Sequence, residues 1–416
     1  MIYNLKKIEI KKEFQKLNKN LQFDIIIIGT GPAAYTLYEK LNKNKNILVI
    51  ERGDTFYKSS LNSKNKESLI SNENYRIKKD SRIFSFGGSG NIWGGVSCSI
   101  ESFEMRDRWL KNKNLWPIEH KELLSNYKYL DKRYGFRINS QTTNFKEKKN
   151  LSGFFKERLF CAKKKPFKFN DLSHYDQNHL LINATVKYVD RKNRKNIVIL
   201  KENNEKIYSK KIVICCGGLE TNFLILRSIK NKKLNDASNK DIVGKYFMDH
   251  PKFELGYVKI DKRKRKFIDR IRMKIEGKFF TYLGLSLNEK TQVKEKLLNS
   301  YVRFEKYLFL DLKKKIKVEI RKENFFVKYF NIVKIYLKII LLLLMQFFKL
   351  DSIIEKYKVT IFNEMIPSKN NRIVYGKKNN REKFKILYSF SNTEFKTIKK
   401  LIMSLTKLDG FNFFFK

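Results

Sequence analysis

Four consecutive isoleucines, Ile25 to Ile28, interrupt a chain that otherwise mixes apolar residues with lysine and asparagine. An apolar run with no polar alternation predicts a strand buried on both faces, as in a parallel sheet. Gly29, Gly31 and Ala34 follow it as a G-x-G-x-x-A turn, and Ala33, Ala34, Leu37, Tyr38 and Leu41 then recur at helical spacing. A second apolar run, Ile47–Ile50, ends in Glu51, 22 positions after Gly29. Strand, glycine turn, helix, strand and terminal acid thus come in one order.

The same reading carries along the chain. Residues 1–22 form a basic amphipathic lead-in, expected as a short helix beside the first strand, and 52–80 are polar and irregular. Helical periodicity covers 109–134, with Trp116-Pro117 at its start, and residues 135–179 are loop-rich and basic. Strands are expected over 180–189, 196–200 and 211–216, the last ending in Gly217-Gly218 before a helical 219–228. Residues 255–323 alternate strand-like stretches with lysine-rich turns, and 325–348 is the most apolar segment. Strand alternation returns over 358–363 and 384–390, and a helix is expected over 393–408.

The turn chemistry narrows the ligand. The first glycine permits a sharp bend, the second lets the backbone approach a pyrophosphate, and the small third residue lets the helix pack on the strand. An acid about 20 residues on is placed for a ribose hydroxyl, and an acid there argues against a 2′-phosphate. The motif therefore points to an adenosine diphosphate of the NAD or FAD kind. A second glycine-rich stretch, 86–99, reads FGGSGNIWGGVSCS, with small polar residues able to bond the edge of a flat ligand. Its apolar flanks, Ile92, Trp93 and Val96, predict a packed site and not a surface loop.

Composition changes the picture in two ways. With 42% hydrophobic residues over 416 positions, the chain can bury a large core in two domains. Four cysteines without a C-x-x-C pair, and an N-terminus without an apolar signal core, are read as a cytoplasmic protein with neither disulfide framework nor metal site. The net charge of +48 could attract polyanions or anionic lipid. Lysine is spread along the whole chain, however, and no nucleic-acid motif occurs, so no specific nucleic-acid partner is expected. On a helix, Lys328, Asn331, Lys334 and Lys338 share one polar stripe of 325–348, which suits either a buried helix or one lying at the inner face of a membrane.

Taken together, these motifs resemble the glucose–methanol–choline family of FAD-dependent oxidoreductases, in its gluconate-dehydrogenase and pyranose-oxidase branch. The resemblance covers residues 24–408 in the family's order. It rests on DIIIIGTGPAA with ILVIERG, FGGSGNIWGG, NLWPIEHKELLSNYKYLDKRYG, NATVKYVD, IVICCGGLETNFLILRS, DIVGKYFMDHP and FNEMIPSKNNRIVY, the last holding Glu364, Pro367, Asn371 and Arg372. It implies an α/β fold: a Rossmann-like three-layer FAD-binding domain over 23–255, preceded by an extension over 1–22, and an α+β substrate domain over 256–416. Residues 135–179 would be partly an excursion towards that substrate domain.

By the same resemblance Gly29, Gly31 and Ala34 would face the pyrophosphate and Glu51 the adenosine ribose. Val186 and Gly217 would lie at the adenosine, and Gly88, Ser89 and Asn91 at the flavin. Pyranose oxidases bond the flavin through a histidine where this chain has Ile92, so the FAD is expected to be non-covalent. The implied activity is oxidation of a sugar or other alcohol, with hydride passing to the flavin. The family's catalytic base is a histidine in a C-terminal block. This sequence has no histidine after His250, so the expectation is a chain without that block, with a second polypeptide as one source of it and His250 a weak substitute. Two alternatives accompany this reading: a flavin-binding relative without turnover, and a basic membrane-surface or polyanion-binding protein on the same fold.

Overall fold

The computed structural model describes residues 1–5, 8–20, 22–41, 44–56, 68–71, 75, 82–106, 116–138, 154–176, 178–192, 195–234, 240–261, 264, 274–306, 325–347, 356–378 and 381–415. The chain divides into two compact units: residues 1–94, 167–248 and 367–389 form the first, and 95–166, 249–366 and 390–416 the second. The sequence reading places a boundary at 255/256 with 135–179 partly an excursion; the two units interleave along the chain, because strands far apart in sequence pair within each. Residues 1–22 supply a strand to the main sheet.

Strands and helices are numbered here along the whole chain. The first unit holds β1 (Ile2–Asn4), α1 (Ile8–Asn20), β2 (Phe23–Ile28), α2 (Pro32–Leu41), β3 (Ile47–Ile50), β4 (Ser68–Ser71), β7 (His179–Ile182), β8 (Val186–Lys192), β9 (Lys195–Leu200), β10 (Lys206–Ile214), α4 (Gly217–Lys230), β16 (Arg372–Lys378) and β17 (Arg381–Leu387). Its larger sheet has the order β1-β7-β3-β2-β10-β9-β8. From β1 through β10 the pairing is parallel, and the β10-β9-β8 edge is antiparallel. The isoleucine run lies at the centre of this sheet, between β3 and β10, in the register Ile26↔Leu48 and Ile26↔Ile212. Ile25 to Ile28 and all of β3 are buried, which is why neither strand alternates in polarity.

Two local expectations change here. The strand predicted over 180–189 is two strands, broken where Asn183 takes a left-handed φ of 55°. The irregular 52–80 contains β4, which pairs with β17 in a small separate sheet with β16. The rest of that stretch largely falls outside the described residues.

The second unit holds β5 (Val96–Ser97), α3 (His120–Tyr134), β6 (Phe155–Lys163), β11 (Lys252–Ile260), β12 (Lys274–Glu276), β13 (Phe279–Leu287), α5 (Glu289–Glu295), β14 (Tyr301–Lys306), α6 (Phe325–Phe347), β15 (Lys356–Phe362), α7 (Asn392–Leu405) and β18 (Phe411–Phe415). Its sheet runs β18-β11-β15-β14-β13-β6-β5, antiparallel throughout, with β12 added to β13. Alternation sorts its residues. Val258, Leu285, Val302, Val359 and Ile361 join Leu401 and Leu405 of α7 in one apolar core. α3 starts at His120, later than the pattern suggested, because Glu119 and Glu122 form a reciprocal capping box.

The C-terminal run FNFFF, Phe411–Phe415, pairs with β11 as the edge strand of this sheet. Gly410, at φ 77°, turns the chain after Leu408, and aromatic residues suit the pleat.

Candidate functional site

The sequence motifs of the first unit converge on the end of β2. Gly29 has φ 97°, and a Cβ there would meet the Cys215 carbonyl oxygen at 2.6 Å. The bend therefore needs glycine twice, for its left-handed backbone and for the close pass of the chain after β10. That pass is fixed by Cys215 N–H donating to Ile28 O at 2.7 Å. Gly31 differs: its φ is ordinary, and a Cβ would meet nothing within 4 Å. Among the described residues, neither backbone nor packing requires a glycine at 31. The space in front of it adjoins the N-terminus of α2, where helix N–H groups lack intrahelical partners and favour an anion. Ala34 is fully buried on the strand side of that helix, as its small size allows.

Glu51 is buried and held from three sides. Its Oε1 accepts from Gly53 N–H at 2.7 Å, and its Oε2 from the Thr30 hydroxyl at 2.5 Å. Burial pushes its pKa up, against the opposing pull of the Thr30 and Gly53 hydrogen bonds and of Arg52. Its backbone continues the knot: Glu51 N–H donates to Leu181 O and Ala184 N–H to Glu51 O. The start of β8 at Val186, itself buried, is thereby carried to the end of β3.

Thr30 is the residue that motif spacing does not identify, because it occupies a variable position of the turn. Besides donating to Glu51, its hydroxyl accepts from Gly87 N–H at 3.0 Å. One side chain so ties the pyrophosphate-type turn, the acid and the second glycine-rich loop together. At Gly88 a Cβ would lie 3.4 Å from Gly31 Cα, so a single methyl group would bridge the two loops. Gly88–Asn91 forms a single 3₁₀ turn. The Asn91 amide donates to Phe86 O at 2.5 Å, while its Oδ1 is buried without a partner. Ser89 is exposed.

The flanks of this loop depart from expectation. Trp93 is half-buried and donates through its indole to Phe167 O at 3.0 Å. Ile92 and Val96 are not packed; they are 45% and 47% exposed. The 3₁₀ turn directs Asn91 inward and the next apolar residue out.

The second glycine turn lies against the first through Cys215. Gly217 opens α4 at φ 73° with open space about it, and Gly218 likewise meets nothing. Its surroundings are fixed by charge that the sequence pattern did not reveal. Buried Arg82 pairs with Glu220 in the first turn of α4, Arg52 lies 3.7 Å from the same carboxylate, and Arg52 stacks over Phe84 at 4.3 Å. An acid in a first helical turn is also favoured by the helix dipole. Burial and the nearby Glu51 raise the Cys216 thiol pKa, which keeps it neutral.

In the second unit, one face of the sheet is polar and aromatic. Tyr301 stacks on Phe362 at 4.7 Å, Phe160 on Tyr282 at 5.0 Å, and the Arg303 guanidinium lies 4.1 Å above Tyr282. At one end Arg158 bonds Glu104 at 2.9 Å, and Asn299 donates to the same carboxylate at 2.5 Å. Glu364 accepts from Asn299 N–H at 2.6 Å. Asn371 of the same motif belongs to the first unit, where it clamps Ser389 through both amide atoms.

The four histidines separate clearly. His174 stacks on Tyr35 at 3.5 Å and shares a hydrogen bond with its carbonyl, and His120 does so with Ile100 O. His179 packs against Tyr3 and Phe23, and burial lowers its pKa. His250 is 84% exposed and lies 3.3 Å from Asp249.

These residues fit an adenine dinucleotide: an unused glycine at a helix N-terminus, a buried acid, and an unpartnered Asn91 acceptor in the adjoining loop. No family model and no curated protein matches the sequence. Solved structures do match in fold. Pyridoxine 4-oxidase from Mesorbium loti aligns at 10% identity and TM-score 0.50, covering 95% of this chain and 83% of that one. Formate oxidase from Aspergillus oryzae RIB40, in a study of FAD modification, aligns at 12% identity and TM-score 0.43, covering 94% and 82%. Another structure of formate oxidase aligns at 13% identity and TM-score 0.42, again covering 94% and 82%. The chain thus has the mixed α/β, Rossmann-like fold with a second α+β unit, shared with pyridoxine 4-oxidase over nearly its whole length.

Proposed function

We propose that this protein is a non-covalent FAD-dependent oxidoreductase of CH–OH groups, acting on a sugar or another alcohol, as its motifs' resemblance to the glucose–methanol–choline family implies. FAD supplies, when bound, the two-electron acceptor for such a donor. Gly29, Gly31 and the first turn of α2 hold the pyrophosphate. Glu51 takes the adenosine ribose: its carboxylate accepts from the Thr30 hydroxyl and from the Thr30 and Gly53 N–H groups, which leaves acceptor capacity for one further hydroxyl. Val186 and Gly217 border the adenosine, and Gly88, Ser89 and Asn91 border the flavin. Ile92 offers no nucleophile for a covalent link. The aromatic and basic sheet face of the second unit, with Tyr282, Tyr301 and Arg303, supplies hydroxyl and guanidinium groups suited to a polyhydroxy substrate. The observation that carries the reading is Gly31, a glycine that nothing among the described residues needs, in front of a helix N-terminus.

A second reading, flavin binding without turnover, is favoured by the histidines. Three of the four are engaged in packing or backbone hydrogen bonds, which leaves His250 as the candidate base. General-base catalysis is typically worth about 10²–10⁴ in rate. The visible absorbance of the purified protein tests the binding, with protein colourless after FAD reconstitution as the outcome against both readings. Anaerobic bleaching by sugars and alcohols separates them. Bleaching that is lost in His250→Ala makes this chain an enzyme with His250 as base; flavin bound and never reduced supports the second reading.

A further inference from the structure

α6 is built with its apolar side outward. The helix carries three lysines and no acidic residue. Ile335 is buried, and Asn331, Ile332 and Ile339, one turn on either side of it, are half-buried, so this face meets the protein. The opposite face consists of Val333, Leu337, Ile340, Leu341 and Leu344, all between 41% and 60% exposed. Tyr329, Phe330 and Tyr336 border it, equally exposed. A helix of a globular protein ordinarily turns such a stripe to the core, and an exposed apolar patch of this kind marks an interaction surface. Lys334 and Lys338 are exposed along one edge of the arc, Lys334 lying 4.4 Å over the Phe330 ring.

We propose that α6 docks the second unit onto an anionic lipid surface, lying in the plane of the interface with its leucine face in the acyl boundary and Lys334 and Lys338 among the headgroups. Charge selects this occupant. A second copy of the chain would bring another +48 to the contact, whereas an anionic bilayer complements both the helix lysines and the whole molecule. Shape agrees. From Tyr329 to Leu344 the arc extends about 22 Å at 1.5 Å per residue, with aromatic rings at its borders as at membrane–water interfaces. Among the described residues no helix is long and apolar enough to cross a membrane, so the helix lies on the surface instead of spanning it. This inference is independent of the flavin.

The test is co-sedimentation of the full chain with vesicles at physiological salt, using phosphatidylcholine alone or an equimolar mixture with phosphatidylglycerol. Binding is expected to the anionic vesicles only. The triple variant Leu337→Ser, Leu341→Ser, Leu344→Ser should bind at least about tenfold more weakly, since its apolar contribution is removed. Those side chains are exposed, so its melting temperature should equal that of the unaltered protein. Lys334→Glu with Lys338→Glu should weaken binding as well. Equal binding by the serine variant would overturn the proposal and leave general charge attraction. So would an absence of vesicle binding, or a concentration-dependent dimer in ultracentrifugation that the serine variant abolishes while vesicles remain unbound.

Discussion

The chain makes strand, glycine turn and helix twice at adjacent parallel strands, and the two turns use glycine differently. After β2, Gly29 is wedged against the Cys215 carbonyl, while Gly31 stands in open space at an ordinary backbone angle. After β10, Gly217 is left-handed but unobstructed. In sequence both read as glycine turns before helices. In space Gly29 is demanded by packing and backbone conformation together, Gly217 by conformation alone, and Gly31, like Gly218, by neither. A glycine of this last kind leaves room for a group outside the chain.

That contrast can be broken by substitution. Gly29→Ala should have the largest effect. The left-handed backbone costs an alanine about 1–2 kcal/mol, and the collision with Cys215 O comes on top of it, so loss of soluble folded protein or a deep fall in melting temperature is expected. A normally folded Gly29→Ala would show that the pass of residues 215–216 is not rigid. Gly31→Val should do the reverse, leaving stability within about 0.5 kcal/mol while abolishing flavin retention after gel filtration. Retention of full flavin content would remove the assignment of this turn.

Glu51 sharpens the comparison by charge. Its folded pKa is raised by burial, so its contribution to stability is complete below the ordinary carboxylate value of about 4.3 and is lost as pH rises through the elevated folded value. A single group can contribute a slope of at most about 1.4 kcal/mol per pH unit. Glu51→Gln, neutral throughout, should therefore gain on the unaltered protein as pH rises across that window in urea titrations. Parallel curves would mean that Thr30, Gly53 and Arg52 fully offset the burial. Gly217→Ala should have the smallest effect, about 1 kcal/mol of backbone strain with no clash, measured as a modest shift in the urea midpoint with flavin still bound.

How much of this was legible in advance depended on the range over which each feature is decided. Ile25–Ile28, Ile47–Ile50, the glycine spacing and Glu51 report local demands of burial, backbone angle and helix packing, and the structure places all of them around one turn. The same local logic gave the periodicity of α2, α4 and α7. It failed where a neighbour distant in sequence decides. Ile92 and Val96 are apolar yet exposed: Ile92 follows a 3₁₀ turn that aims it outward, and Val96 lies on the edge strand β5, whose partner is the distant β6. FNFFF becomes an edge strand only because β11 offers it a partner.

Residue type and spacing were enough for the parallel strand, the glycine turn with its acid, the helix that follows, and an apolar 325–348 with a lysine stripe. Each of these follows from residue type and spacing within a few turns of chain. Tertiary structure alone decided that Thr30 would join Glu51 to Gly87, that Arg82 would pair with Glu220, that both units would be assembled from separate segments, and that α6 would present its leucines to solvent. Those outcomes require contacts between residues tens to hundreds of positions apart, and hydrophobic or hydrogen-bonding capacity in a sequence does not say which partner will satisfy it.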